Sequence, residues 1–465
     1  MMMNACRARQ VRWIVLPLAL MTTMVAVRQT SAQSSTPKAV HTLKSLIGRT
    51  LAISPEIRQM QRGAEVAMAK KDQADAGRFP QIEVIGMVGP SPRARGTVDG
   101  GSPDRKDDPH VNNVFERVEM KVVQPLYTFG KLTGYRNAAE EGVKVEKARV
   151  EEKAADLILK VKELYYGRLL ASDMLGLIDE IAKDLEKAID KTGRQLKAQV
   201  PGADEVDLYK LKVFRGEVLK NREEAQKGFD LATSALVFYA GLDRTQPFEL
   251  DADGLDAAQK EVSPVDRGAG AALELRPEMT QVRAGLKATE SLVKAEESNL
   301  YPHFFLALNG VYAQAGNRVH QQNPWAYDPL NDKYAAILLG FKYDLDFGIT
   351  RGKIRAAQAE HLKVRETKDF AEQGIPLQVR KAHRELDEAR ETLRFTEDGW
   401  RNAKKWLVAA KANYDLGVGE SRDLGQAAEA YARLRADHFK AMYNYNLSLA
   451  NIEHATGRAV KEEAR

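Results

Sequence analysis

The chain repeats itself. Pro55-Glu56 recurs as Pro277-Glu278, and Phe79-Pro80 recurs as Tyr301-Pro302, in both cases 222 residues further on. Phe129-Gly130 returns as Phe347-Gly348 after 218 residues. Between these marks the elements come in one order: a short helix, an aromatic-proline break, two alternating strands with a polar loop, a Phe-Gly corner, a very long helix, a glycine-containing turn and a return helix. Single dipeptides carry little information, but constant order and near-constant spacing are what a duplicated unit produces. The first unit spans 33–265, with strands at 80–98 and 113–124, a helical hairpin at 128–240 and a linker. The second spans 266–465, with strands at 301–315 and 334–346, a hairpin at 350–457 and a C-terminal tail.

The long segments read as coiled coil. From Ala154 the apolar positions run Leu157, Val161, Leu164, Ala171, Leu175, Ile178, Ala182, Leu185 and Ile189, with Arg168 as the one interruption. Steps averaging about 3.5 residues, kept over several heptads, specify a supercoiled seam rather than a globular helix. A helix from Gly130 to Gln199 would be about 100 Å long. Val200-Pro201-Gly202 ends it, and Asp204 suits an N-cap with Asp207 at the third position after it. In the second unit Gly417-Val418-Gly419 makes the turn. Gly374-Ile375-Pro376 falls inside the outgoing helix and predicts a kink or a break there.

Four segments alternate with period two. Ile82, Val84 and Val88 share one face, as do Val118, Met120 and Val122. Phe304, Leu306, Leu308 and Tyr312 follow in the second unit, and then Ile337, Leu339, Phe341, Tyr343 and Leu345. Strands of about ten residues with one apolar face fit a membrane barrel with a wet lumen; a soluble sheet buried on one side has the same alternation. The long polar stretches 99–112 and 316–333 favour the membrane barrel, whose outer loops are commonly long. Four strands cannot close a barrel, and open sheet edges are not tolerated in lipid. Several copies must therefore share one wall, and three copies would supply twelve strands.

Composition narrows the field. Arg7, Arg9 and Arg12 precede an uncharged apolar run from Trp13 to Val27, and Thr30-Ser31-Ala32 offers small residues for cleavage, so 1–32 reads as a secretory signal peptide. Its four arginines leave with it, and the formal net charge falls from +5 to about +1, with no segregated basic patch to hold a nucleic acid. The single cysteine, Cys6, lies in that leader, which excludes a disulfide scaffold and any multi-cysteine metal site. The eight histidines form no HExxH pair, no GxSxG elbow or phosphate loop is present, and Arg422 stands where a dinucleotide loop would need its third glycine. No catalytic residue, metal or cofactor is expected.

The residues "SPEIRQMQRGAEVAMAKKDQADAGRFPQIEV" from Ser54, "QPLYTFGK" from Gln124 and "RPEMTQVRAGLKATESLVKAEESNLYPHFFL" from Arg276 carry a family resemblance. So do "DLDFGITRGKIRAA" from Asp344, "YDLGVGESRDL" from Tyr414 and "YNYNLSLANIEHATG" from Tyr443. Together they resemble the TolC family of outer-membrane efflux proteins over essentially the whole mature chain. The resemblance implies a mainly α fold with transmembrane β: two tandem repeats in a homotrimer, a twelve-strand outer-membrane barrel and a periplasmic α-barrel. It implies an efflux or type I secretion duct that docks a periplasmic adaptor and an inner-membrane pump. A periplasmic coiled-coil adaptor without a pore is the alternative.

The resemblance also assigns residues. Asp423 matches an acidic pore position, and the next acid of the family is Gln426 here, which leaves one ring rather than two. An acid in a first helical turn also complements the helix dipole. Tyr414 and Asp207 fall near positions that hold the entrance closed, although helix packing and capping account for them equally. Gly419 stands where a gating arginine is expected, with Arg422 nearby. The turns at Val200, Pro201, Gly202, Gly417, Val418 and Gly419 match the surface that meets the adaptor, and glycine there also simply permits the turn.

Overall fold

A computed structural model describes residues 39–97, 106–200, 204–321, 323, 327–416, 418 and 421–460. The leader read at 1–32 lies outside them, as do Pro201, Gly202, Gly417 and Gly419.

The elements follow in chain order: β1 (Ala39–His41), α1 (Leu43–Ile53), α2 (Pro55–Ala76), β2 (Gln81–Arg95), β3 (Lys106–Tyr127), α3 (Lys131–Lys197), α4 (Glu205–Ala240) and β4 (Phe248–Leu250). The second half adds α5 (Val265–Leu275), α6 (Pro277–Glu297), β5 (His303–Ala315), β6 (Lys333–Lys342), α7 (Ile349–Asp415) and α8 (Ser421–Ala455). The duplicated marks take the same structural roles. Pro55 and Pro277 open α2 and α6, where a residue without an N–H is tolerated and the following glutamate faces the positive helix end. Gly130 and Gly348 take φ of 94° and 134°, backbone that a side chain disfavours, and turn each strand pair into its long helix.

The strands form one antiparallel sheet in the order β2-β3-β5-β6. The largest departures from the sequence reading are at two strand boundaries. β3 begins at Lys106 rather than at 113, because the polar residues before it continue the ladder, with Arg93 opposite Asp108. The last strand stops at Lys342. Asp346 accepts from the Gly348 and Thr350 amides at 3.2 and 2.9 Å and starts the next helix instead.

α7 runs unbroken through Pro376, so of the expected kink or break the break does not occur. A proline costs the helix one hydrogen bond and a steric clash. Burial on either side offsets this, because Ile375, Val379, Ala382 and Leu386 pack with Met279 and Leu449 in one core. The other core gathers Leu46, Ile47, Ile158, Val161, Tyr165 and Leu236. α3 packs against both α4 and α8, so its buried face is wider than one seam. Leu157, Val161, Ala171 and Leu185 are buried as the heptads expect, and Ile158, Tyr165, Leu169 and Leu177 join them.

The linker between the units is a belt across the helices. β4 pairs in parallel with β1. Arg168, the seam's interruption, lies between the Phe229 and Phe248 rings and donates to the Thr233 hydroxyl at 3.1 Å. Further along, Tyr165 donates to Asp251 at 2.7 Å, and Asp173 accepts from the Leu255 amide at 2.8 Å. Asn446 accepts from the Ala258 amide and donates to the Asp256 carbonyl. Glu453 then binds both Lys162 and Lys260. Burial pushes the Tyr165 phenol up, and donation to Asp251 pushes the same way.

Candidate functional site

The sheet has two chemically distinct faces. Ile82, Val122, Leu308 and Ile337 stand opposite one another in register, and Val84, Met120, Leu306, Leu339, Phe304 and Phe341 extend that row. Partners in register point to the same side, so this is a continuous apolar face. Ile82, Val84, Val88, Ile337, Leu339 and Phe341 are all more than 60% exposed, so nothing within the chain covers it. The opposite face carries Glu83 across from Lys121, Lys121 across from Asn309, and the Arg117–Glu119 ion pair. Among the described residues, no second strand pairs with the outer edge of β2 or of β6, and on β2 only Ala94 bonds another backbone there, at Asn317 and Val319. The sheet therefore has one apolar and one more polar face and two edges that no strand covers.

Residues of the polar stretch after β5 fold back over the polar face. Asn317 accepts from the Ser91 hydroxyl at 2.9 Å and donates to the Ser91 carbonyl at 2.8 Å. Arg318 and Asp328 form a buried pair at 2.9 Å, and Arg318 also donates to the Pro92 carbonyl. Arg117 donates to the Pro329 carbonyl, and Ala313 and Ala315 beneath are buried. A sequence without periodicity gave no sign of this cap.

At the far end the two helical hairpins turn. The Val200 amide bonds to the Gln195 carbonyl, and the Val418 amide to the Asn413 carbonyl, so both outgoing helices close with the same wide bond. Gln199 between them takes φ of 46°. Val200 and Val418 are exposed. Asp204 caps α4 through the Val206 amide at 2.9 Å, as its sequence suggested. Asp207 bonds Lys210 at 3.1 Å. Arg422, Asp423 and Gln426 are exposed in the first two turns of α8, and Asp423 and Gln426 share a face.

Tyr414 contacts a residue the sequence reading did not single out. The Lys191 ammonium of α3 lies 4.9 Å from the centroid of the Tyr414 ring and 3.5 Å from Asp415. Lys191 thereby ties the first unit's outgoing helix to the second's. No local pattern marks it, because it is one lysine among many on a charged face.

Among the described residues, no helix is long and apolar enough to cross a membrane, and no group of three or more metal-binding side chains is placed to hold an ion.

Comparison with known proteins bears on both halves. Residues 46–198 and 269–458 match the family described as outer membrane efflux protein. The chain is 25% identical to the probable outer membrane lipoprotein SilC of Salmonella typhimurium over 264 residues, 56% of this chain and 53% of that protein. It thus spans about half the length of that relative. It is 23% identical to the alkaline protease secretion protein AprF of Pseudomonas aeruginosa over 392 residues, 76% of this chain and 71% of that one. In fold it resembles CusC, with a TM-score of 0.74 at 15% identity, over 90% of this chain and 93% of that one. The outer membrane protein VceC of Vibrio cholerae gives a TM-score of 0.73 at 15% identity, over 89% of this chain and 96% of that one.

Proposed function

Because this chain belongs to the outer membrane efflux protein family, we propose that it is the outer-membrane channel of a tripartite efflux or type I secretion system. Three copies close a twelve-strand barrel, and their helical hairpins continue it as a tube into the periplasm. One observation carries this reading: a four-stranded sheet with an exposed apolar face, a more polar opposite face and, among the described residues, two edges with no neighbouring strand. In lipid such edges need partners, and identical copies supply them. The apolar face meets the hydrocarbon, the polar face lines the lumen, and the cap around Asn317 and Arg318 narrows the outer mouth. The exposed hairpin turns at Val200 and Val418 support docking of a periplasmic adaptor, which in turn joins an inner-membrane pump.

The duct is passive. Asp423 forms an acidic ring at the periplasmic entrance, and three carboxylates there attract cations. Lys191, Tyr414 and Asp415 hold the two outgoing helices of one copy together at that end. Asp207 stands at the start of the return helix, within reach of the same entrance. The relative AprF is named for secretion of a protease, and both protein export and small-molecule efflux suit a duct of this plan.

Fractionation and bilayer recording test the reading. The protein is expected in the outer membrane as a trimer that conducts ions in planar bilayers. Recovery only as a soluble periplasmic monomer rejects it. Asp423→Asn is expected to lower cation preference, and an unchanged reversal potential under a salt gradient removes Asp423 from the pore.

A further inference from the structure

A cleft opens where the sheet gives way to the helices. It has a volume of about 600 Å³ and is lined by Phe129, Thr133 and Asn137 at the start of α3 and by Ser291, Lys294 and Glu297 of α6. That is the size of sites that hold small molecules. Close contact between the two helices makes its floor, since a Cβ on Gly134 would lie 2.7 Å from the Ser291 carbonyl oxygen. Every lining residue belongs to one chain, so the cleft is complete within a single copy.

The cleft lies on the side of the apolar face. Tyr127 stands opposite Phe304 in register and so shares that face. Phe129 meets Tyr127 edge-on, with ring centroids 4.7 Å apart, and stacks on Tyr301 at 4.9 Å with planes 16° from parallel. The aromatic cluster therefore carries the apolar face to the rim of the cleft. Aromatic rings collect at the border between hydrocarbon and water, and Tyr127 and Tyr301 are both more than half exposed.

The rest of the lining carries charge of both signs. Lys294 and Glu297 are three residues apart and share a face of α6. Lys294 bonds Glu290 at 2.7 Å in an exposed pair, which leaves two of its three ammonium protons for another acceptor. Glu297 accepts from the Gln358 amide at 3.5 Å. The positive end of α3 opens at the same place: Gly130 caps it with no side chain, and its first turn holds no acid. A phosphate beside Lys294 and the start of α3, with an amine beside Glu297, satisfies both charges. A headgroup with a phosphate alone would leave the carboxylate opposed, and a trimethylated amine has no proton to donate to it.

The geometry points to a binding site for one phospholipid with a phosphoethanolamine headgroup, the headgroup in the cleft and the acyl chains along Tyr301, Tyr127 and Phe304 on the apolar face. The proposal rests on the membrane reading above. Such a lipid seats the channel at a fixed depth, because its phosphate marks the border of the hydrocarbon.

Native mass spectrometry of the full chain, delipidated in a maltoside detergent and mixed with defined lipids, tests this. One dioleoylphosphatidylethanolamine per chain is expected to be retained. Phosphatidylcholine and phosphatidylglycerol with the same acyl chains are expected to bind about tenfold more weakly, the factor that one lost charged hydrogen bond carries. Lys294→Ala is expected to weaken retention about tenfold, and Glu297→Gln to remove the preference over phosphatidylcholine. Neither side chain is buried, so neither change threatens the fold. Equal retention of the three lipids by the wild type, or retention unchanged by both substitutions, overturns the site. Glycerophosphoethanolamine, the headgroup without its chains, is expected not to bind at matched concentration; binding as tight as the lipid's assigns the cleft to a soluble phosphoester and overturns the lipid. A wild-type chain recovered as a soluble protein without detergent overturns the membrane reading itself, whereas a membrane-embedded chain that retains none of these lipids overturns only the cleft.

Discussion

The belt and the tip are held by opposite kinds of chemistry. At the belt, polar groups are buried and satisfied: Glu453 between Lys162 and Lys260, Asn446 against two backbone groups, Arg168 between two rings. Toward the tip the ties are exposed ion pairs, Lys191–Asp415, Arg215–Glu186 and Arg222–Asp179. A buried pair is costly to break, because its survivor stays desolvated. An exposed pair is worth little and can be exchanged for water. The long helix α3 is therefore fixed at its middle and only lightly fastened at its end, which suits a tube that opens at one mouth.

The contrast is most exposed to failure at Glu453. Glu453→Ala leaves the Lys162 ammonium buried without its carboxylate, and about 3–5 kcal/mol of stability is expected to be lost. Denaturant titration of the purified protein reads this, and a loss under about 1 kcal/mol would place the belt with the tip.

Acid sharpens the comparison next. Burial alone would raise the Glu278 carboxyl, but the Arg276 guanidinium, together with the Glu278 backbone amide and His454, holds it below the ordinary carboxylate range. The folded state thus holds this proton less tightly than the unfolded one. The contribution is complete above the unfolded value and is lost as pH falls through the lowered folded one. Glu278→Gln is expected to be less stable than wild type at neutral pH and to close the gap as the medium is acidified. Parallel pH curves for the two proteins would remove Glu278 from this account.

Lys191→Ala is expected to have the smallest effect on stability, under about 1 kcal/mol for an exposed pair, and a larger effect on passage. Loss of the tether should raise the frequency of open events in single-channel recordings. Unchanged openings would show that Lys191 does not restrain the entrance.

Much of the fold was legible because local periodicity encodes it. The heptads of α3 and the alternation of the four strands each report a face, and the repeat fixed the element order. Pro376 does not break the helix because the burial of Ile375 and Val379 offsets its local cost, which the sequence pattern alone did not show. The β3 boundary misled because the residues before 113 continue the backbone ladder with polar side chains that carry no alternation. Of the site, Asp204 was legible from its capping position, whereas Lys191, Asn317 and Asp328 were not. Each acts through a residue distant in sequence or in an unpatterned loop.

The sequence by itself determined the duplication, the helical hairpins and the two-faced strands, since these follow from backbone geometry and from residues a few places apart. Only the tertiary structure decided that the linker is a belt and that residues of the loop after β5 cap the polar face. Those depend on which distant groups satisfy one another once buried, and a desolvated polar group finds its partner in space rather than along the chain.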